Sequence, residues 1–597
     1  MLRLIPAVLS LLVPIAIASA QPVTVEITVP SDADVGAISV GLRGDTAPLA
    51  WDRSVFLADP DRDGTYTGVI DFPAGTRVVA YKAVIEREGA DPLWEDGPNR
   101  MLLPGQMAAD RRGFNDAQTD VLLRTLTPDE LRTDLGVMLR ALDALHPGLT
   151  LHNTPDEWDA ITERAATRID ALGSRFDGEI PITDAYLLFS RLASAIRDGH
   201  TRVSMFNQGP YVENAFYTRA DRVPFAFRLR DGRMVVTADA TREDVLPAGP
   251  EVDALDGVPV REILGRMLPY TSADGGNDAK RYKELEVRGM PAPAERFDVL
   301  YTMLFEPEGE LALNVRTPDG MEMLFGTPRI TADTRRARLV ERDPTHPRTK
   351  GDLLQRRTLP DGTAYVRIGS FATFNMDVDY HAWLRETFAS INVSGTERLI
   401  VDLRDNAGGM DDAAGALLAH LIAEPVRLPL WNGVTAYDRV PDDVRPHVSS
   451  WDPSFYDISE TVEPDGTGGF RTPARPPLSI APAPDAFRGR AAVIVDATAS
   501  SATFYLAQHI RRCGAAVLVG QETGGSLKGL NAGQMAFLTL PKSGVVVDVP
   551  LYGARPSVPG PDRGVVPDVV VPQDAGALIA GRDAEIEAAI AALTRER

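Results

Sequence analysis

The chain has 597 residues, 44% hydrophobic and 24% charged, with 62 Lys and Arg against 84 Asp and Glu, a formal charge of −22. Such a composition builds several ordinary cores, about four domains by length, and so negative a surface disfavours nucleic acid and anionic membrane as partners. A single cysteine, Cys513, excludes an intramolecular disulfide framework and a cysteine-based zinc cluster.

Residues 1–20 carry one cation, Arg3, then an apolar run broken by Pro6 and Pro14, then Ala18-Ser19-Ala20 before Gln21. That is the layout of a cleaved secretory signal peptide, and the run is short for a bilayer span. The expectation is a periplasmic or secreted protein with no membrane span after cleavage.

Residues 21–118 alternate short β-rich runs with turns, which predicts a small β-sandwich. Asp59 to Gly64 resembles the start of a calcium loop, but Ile70 stands where the bidentate glutamate belongs, so a turn is expected. Leu49-Ala50-Trp51, Tyr81-Lys82 and the stretch from Leu93 to Arg100 resemble the starch-binding modules attached to amylases. That resemblance implies carbohydrate binding by Trp51, Lys82, Trp94 and Asn99, with polysaccharide as a partner; flat aromatic faces suit sugar rings. The alternative is a sandwich that merely packs its tryptophans.

From residue 121 to 215 the period turns helical. Thr127-Pro-Asp-Glu130 and Thr154-Pro-Asp-Glu157 are capping boxes with proline at the first helical position. Leu131, Leu135, Met138, Leu142 and Leu145 follow helical spacing on one face. A third amphipathic run begins near Ala185 and ends in the loop Asp198-Gly-His200-Thr201. Residues 216–345 read as β-rich; a strand, an Asp-Gly turn and a short helix over 247–264 resemble a PDZ-like module. Residues 350–575 alternate strands and helices, an α/β core, and 576–597 a terminal helix. The fold class is therefore a multidomain α/β protein.

Three loops can carry chemistry: Ile196–Thr201, Asp402–Gly409 and Ala497–Thr503. A serine at a strand-to-helix turn exposes its hydroxyl beside free backbone N–H groups that can hold an oxyanion. A Gly-Gly loop lets bare backbone approach that point, and histidine can take the serine proton.

These loops resemble the tail-specific or C-terminal-processing serine peptidases, with the tricorn core protease as a relative, over roughly 125–575. The resemblance implies an acyl-enzyme peptidase acting on protein or peptide, with Ser500 as nucleophile and oxyanion donors at Gly409 and the N–H of Ser501. Ser501 itself is the alternative nucleophile. A histidine branch of the family implies His200 as base and a lysine branch implies Lys528; the DGHT loop favours His200, since a neutral lysine needs desolvation that a Gly-rich polar loop does not give. The family's third member is a glutamate, but its place before Gly564-Val-Val-Pro-Asp568 holds Pro561, leaving Asp562 or Thr201 to orient the histidine. The family's usual glutamate after the serine is Thr503. The remaining histidines read as core, surface or helix-end groups without metal-ligand spacing, so no metal or cofactor is expected. A non-catalytic carrier on the same core is the competing class. The long stretch 424–488 between the glycine loop and the serine is expected to wall one side of a substrate cleft.

Overall fold

A computed structural model describes residues 20–29, 38–76, 78–87, 89–95, 99–105, 107–114, 124–242, 245–246, 249–292, 294–474, 476–558 and 560–595. The proposed leader, save Ala20, and Asp96, Gly97 and Pro98 of the second tryptophan motif lie outside these residues. The chain forms two units, Met1–Arg124 and Thr125–Arg597. Among the described residues no helix is long and apolar enough to cross a membrane.

The first unit consists of two sheets. Gln21–Thr28 lies between Thr65–Phe72 and Ala109–Gly113. Ile38–Gly44 lies between Val55–Phe56 and Val79–Arg87, the last also pairing with Leu93–Trp94 and Arg100–Leu102. Val23, Val25 and Ile27 turn one face of their strand inward with period two, while Thr24 and Glu26 stay half-buried. Asp59 to Gly64 is a turn: the Gly64 N–H donates to Asp59 Oδ2 (3.1 Å) and the strand resumes at Thr65.

The second unit opens with helices Pro128–Leu145, Pro155–Arg175 and Ile182–Ala195. Both capping boxes form as read, Thr127 with Glu130 and Thr154 with Glu157. Leu131, Leu135, Met138, Leu142 and Leu145 are buried. Asp134 on the same helix accepts the N–H groups of Lys542 and Ser543 (2.7 and 2.6 Å), fastening the helical region to a hairpin four hundred residues later. The β-rich region is a sheet in the order 225–230, 233–239, 251–255, 311–316, 322–327, closed by helices Val260–Met267 and Arg296–Phe305 around Phe225, Phe227 and Phe297. The Asp-Gly turn is there, Asp256 and Gly257 both at positive φ, joining Glu251–Leu255 to Val258–Pro259.

The α/β core is a sheet of Leu354–Thr358, Ala364–Ile368, Arg398–Asp402, Arg490–Val495, Val517–Gly520 and Val569–Val570, parallel after its first strand. Alternate residues face opposite layers. Leu399, Val401, Val493 and Val495 pack against helices Tyr380–Val393, Asp411–Leu421 and Ala502–Cys513. Ile400, Ala492 and Ile494 pack on the other side against Ala584–Thr594. The terminal helix therefore covers 584–594, with a separate short turn of helix at Ala575–Ile579, because Asp583 caps a new start. Two of the parallel strands end at Asp402 and Val495, so the loops that follow leave the carboxyl edge of the sheet, where open α/β folds bind ligands. Asp405 in the first of these loops receives Arg228 of the β-rich region (2.7 and 2.8 Å), and burial alone would raise its carboxyl, but Arg228, Arg288 and Arg367 hold it well below the ordinary range.

A further sheet built on Leu530–Thr539 and Val546–Arg555 recruits Asn432–Thr435 and Val448–Ser449 from the long 424–488 stretch. It also takes Arg202–Val203, paired with Asp548 and Val547. That short pairing brings the loop after the third helix to the serine side of the molecule.

Candidate active site

The serine turn is set by Asp496, whose carboxylate accepts the Thr498 N–H (2.9 Å) and pairs with Lys283 (3.2 Å). The chain then turns sharply into helix Ala502–Cys513. Ser500 is 3% exposed and its hydroxyl donates inward to the Ala407 carbonyl (3.1 Å). Ser501 sits at the helix mouth with φ +51° and ψ −130°, half-buried. A non-glycine residue in that region costs about 1–3 kcal/mol and persists where the surroundings impose it; the exposed serine of a strand-to-helix elbow is held the same way.

The glycine loop is pinned by Asn406, which is wholly buried. Its amide donates to the Ile368 carbonyl (3.1 Å), while its oxygen accepts the Gly408 N–H (3.0 Å) and the Thr503 hydroxyl (2.8 Å). Thr503 thus ties the serine helix to the loop. Gly409 has φ +140°, and a Cβ there would fall 2.1 Å from the Phe371 carbonyl carbon, so only glycine fits. At Gly408 a Cβ would meet that of Ser501 at 2.7 Å. The N–H groups of Gly409 and Ala502 have no acceptor among the described residues.

On the facing side, Gly148 donates to His146 Nδ1 (3.1 Å), so Nε2 carries the proton and meets Asp198 Oδ2 at 2.9 Å. The Thr201 hydroxyl donates to the same oxygen (2.9 Å), and the His200 N–H to Asp198 Oδ1 (2.9 Å). The Gly199 N–H donates to Asp274 Oδ1 (3.0 Å). His200 Nδ1 and Asp274 Oδ2 are both buried without a hydrogen-bond partner. Desolvation lowers His200 to about 4, with Lys280 and Arg202 pushing the same way against Asp198. Burial raises Asp274 to about 6 against the pull of Lys280. The imidazole is therefore neutral at physiological pH, as a general base must be.

A cleft of about 1450 Å³ joins these parts: His200, Gly408, Gly409, Ser501 and Ala502 all line it. Ser500 and Lys528 are not on its wall; Lys528 is half-buried, its backbone N–H donating to Ser526 Oγ (3.2 Å). Asp562 pairs with His152 (3.0 Å) and accepts the Ser526 hydroxyl (2.9 Å). The 424–488 stretch contributes Leu430, Trp431, Trp451 and Leu478 to the wall. Sequence reasoning missed Asp198, Asp274, Lys280 and the second role of His146. Asp198 stood two residues before His200; Asp274, more than seventy residues further on, had no local mark at all.

In the first unit Trp51 and Trp94 are 39% and 38% exposed, their ring centroids 6.3 Å apart and tilted by 36°. Arg43 lies over Trp94 (5.2 Å) and Lys82 donates to the Glu95 carbonyl (2.9 Å). Asn99 is half-buried beside that strand.

The sequence model of peptidase family S41 matches residues 362–571. No curated protein sequence matches the chain significantly. Among solved structures, a mutant of CPAF is 14% identical, covering 76% of this chain and 94% of its own with a TM-score of 0.55. Mature CPAF complexed with lactacystin is 15% identical over 78% and 97% of the two chains, with a TM-score of 0.54. The fold is the one those structures share. A family 20 carbohydrate-binding module of the maltotetraose-forming amylase from Pseudomonas saccharophila is 24% identical over 15% of this chain and all of its own, with a TM-score of 0.14.

Proposed function

We propose that this chain acts as a serine peptidase, residues 362–571 matching the sequence model of peptidase family S41, with Ser501 as the nucleophile and His200 its general base. Ser501 Oγ attacks the scissile carbonyl carbon while His200 Nε2 takes the hydroxyl proton. The negative oxygen that forms is held by the N–H groups of Gly409 and of Ala502, the residue after the nucleophile. His200 then returns the proton to the leaving amine, and water repeats the sequence on the acyl-enzyme. The carrying observation is the pair of serines: Ser501 lies at a strained helix mouth on the cleft wall that His200 also lines, whereas the Ser500 hydroxyl is spent on Ala407. Exposed Phe206, Phe374, Met410, Leu430, Trp451 and Leu478 around the cleft suit a substrate with large apolar side chains.

A fluorophosphonate probe separates the assignments. Labelling lost in Ser501→Ala and kept in Ser500→Ala supports this reading; the reverse pattern restores Ser500. The layout of residues 1–20 supports export to the periplasm or beyond, checked by the mature N-terminus of the expressed protein.

A second reading concerns the first unit. Two exposed, adjacent tryptophans favour a platform for stacked sugar rings. Retardation on an amylose gel that Trp94→Ala abolishes supports it, and equal mobility with and without amylose rejects it.

A further inference from the structure

A serine–histidine pair needs an acceptor for the imidazole proton that faces away from the serine, because that bond selects the tautomer with a free Nε2. The place before Gly564, where the family resemblance implies a glutamate, supplies none: Asp562 is held by His152 and Ser526. Asp198 is nearer in sequence, but both its oxygens already accept hydrogen bonds. Oδ1 accepts the His200 backbone N–H and stands 3.8 Å from Nδ1, while Oδ2 takes His146 and Thr201.

Asp274 is different. Its Oδ1 is fixed by the Gly199 N–H, one residue from the histidine, and its Oδ2 is buried with no hydrogen-bond partner. Lys280, the nearest cation, stands 3.9 Å from that oxygen. His200 Nδ1 is likewise buried and unpartnered. Side-chain atoms of Asp198, His200 and Asp274 lie within 4.8 Å of one another. A buried acceptor and a buried donor that both lack partners each carry a desolvation penalty of about 1–3 kcal/mol, and one bond between them relieves both. Such bonds are often long without substrate and tighten in the complex.

We propose that Asp274 is the positioning residue of the site, accepting the Nδ1–H of His200 through Oδ2 and keeping Nε2 free for the Ser501 proton. This deepens the Ser501–His200 reading and rests on it. Asp274 takes no proton in the reaction; it orients the ring and stabilises the imidazolium that forms. Asp198 has the supporting place, setting the loop while His146 and Thr201 hold it. The titratable groups around Asp274 are Asp198 and His200 from the DGHT loop, Lys280 from helix Asp278–Lys283, His152, and Tyr505 from helix Ala502–Cys513. Its carboxyl titrates near 6, so it is ionised at neutral pH and loses its charge below that.

The test is Asp274→Asn in the full chain. The amide keeps an acceptor for Gly199 but offers Nδ1 a donor or a neutral oxygen, so kcat falls by about 10³- to 10⁴-fold while KM stays within about threefold. The acid limb of kcat/KM moves to lower pH, which a merely structural loss would not produce. Nitrogen-15 histidine NMR on the Ser501→Ala protein provides a readout independent of activity: a slowly exchanging Nδ1–H on His200 is expected while Asp274 is in place and lost once Asp274→Asn is added. Should Asp274→Asn fail to fold, the same spectrum of the Ser501→Ala chain decides alone, and an Nε2–H tautomer overturns the proposal. It is also overturned if kcat of Asp274→Asn stays within about threefold of the parent, or if Asp198→Asn removes the Nδ1–H and Asp274→Asn does not. Probe labelling that survives Ser501→Ala defeats the nucleophile assignment instead, and is recognisable as such because the Nδ1–H signal is unaffected.

Discussion

Asn406 shows how one side chain holds the glycine loop, the proposed oxyanion side of the site, in place. Its three hydrogen bonds join the strand ending at Ile368, the glycine loop and Thr503 on the serine helix. Asn406→Ala leaves buried donors and acceptors unpaired and should cost about 3 kcal/mol or more in denaturant unfolding, with turnover falling further than stability explains. The acid side of the pH profile follows from His200 and Asp274. His200, lowered to about 4, withholds a proton that the unfolded chain takes from about pH 6.5 downward. It therefore withdraws stability as pH falls through that window, about 2 kcal/mol by pH 5. Asp274, raised to about 6, binds a proton in the folded chain before the unfolded chain does, and gives stability back over nearly the same range. A His200→Gln chain should accordingly keep more of its pH 7 stability at pH 5 than the parent, compared by urea midpoints at the two pH values. The residue scale is where the sequence says least. Adjacent Ser500 and Ser501 have the same chemistry, and only the backbone turn decides which hydroxyl reaches the cleft. Asp274 has no periodicity, motif or spacing that ties it to His200; tertiary packing alone puts it there.

At the scale of elements much more was legible. Capping boxes are local, so Thr127 and Thr154 start their helices as read. Buried parallel strands announce themselves as apolar runs, and the turns after Asp402 and Val495 follow from strand ends. The partners of each strand were not legible, because register over hundreds of residues is set by burial that no window of sequence contains. The pairing of Arg202–Val203 with Val546–Arg555 is one example. The glycine loop gives a direct test. Gly409→Ala drives a methyl into Phe371 at a positive φ, so the loop must shift from the serine. The expected result is a loss of kcat of about 10²-fold or more, the size seen when an oxyanion donor is removed, with little change in KM. Unchanged kcat would place the donor elsewhere.

At the scale of the whole molecule, the first 124 residues close their own two sheets, and the remaining 473 contain every residue assigned to catalysis. A chain starting at Thr125 should fold cooperatively and cleave a short peptide at the parental rate, read by calorimetry and by turnover of a fluorogenic substrate. On the proposed sugar-binding reading of the first unit, any advantage of the full chain should show only on substrates held near polysaccharide.

The strand that holds the His200 loop, Val546–Arg555, is synthesised after both His200 and the serine turn. A nascent or truncated fragment ending before it lacks that pairing, and contacts so distant along the chain form late in folding. On the proposed assignment the enzyme is born inert, its cutting power switching on only once nearly the whole polypeptide has been made and folded.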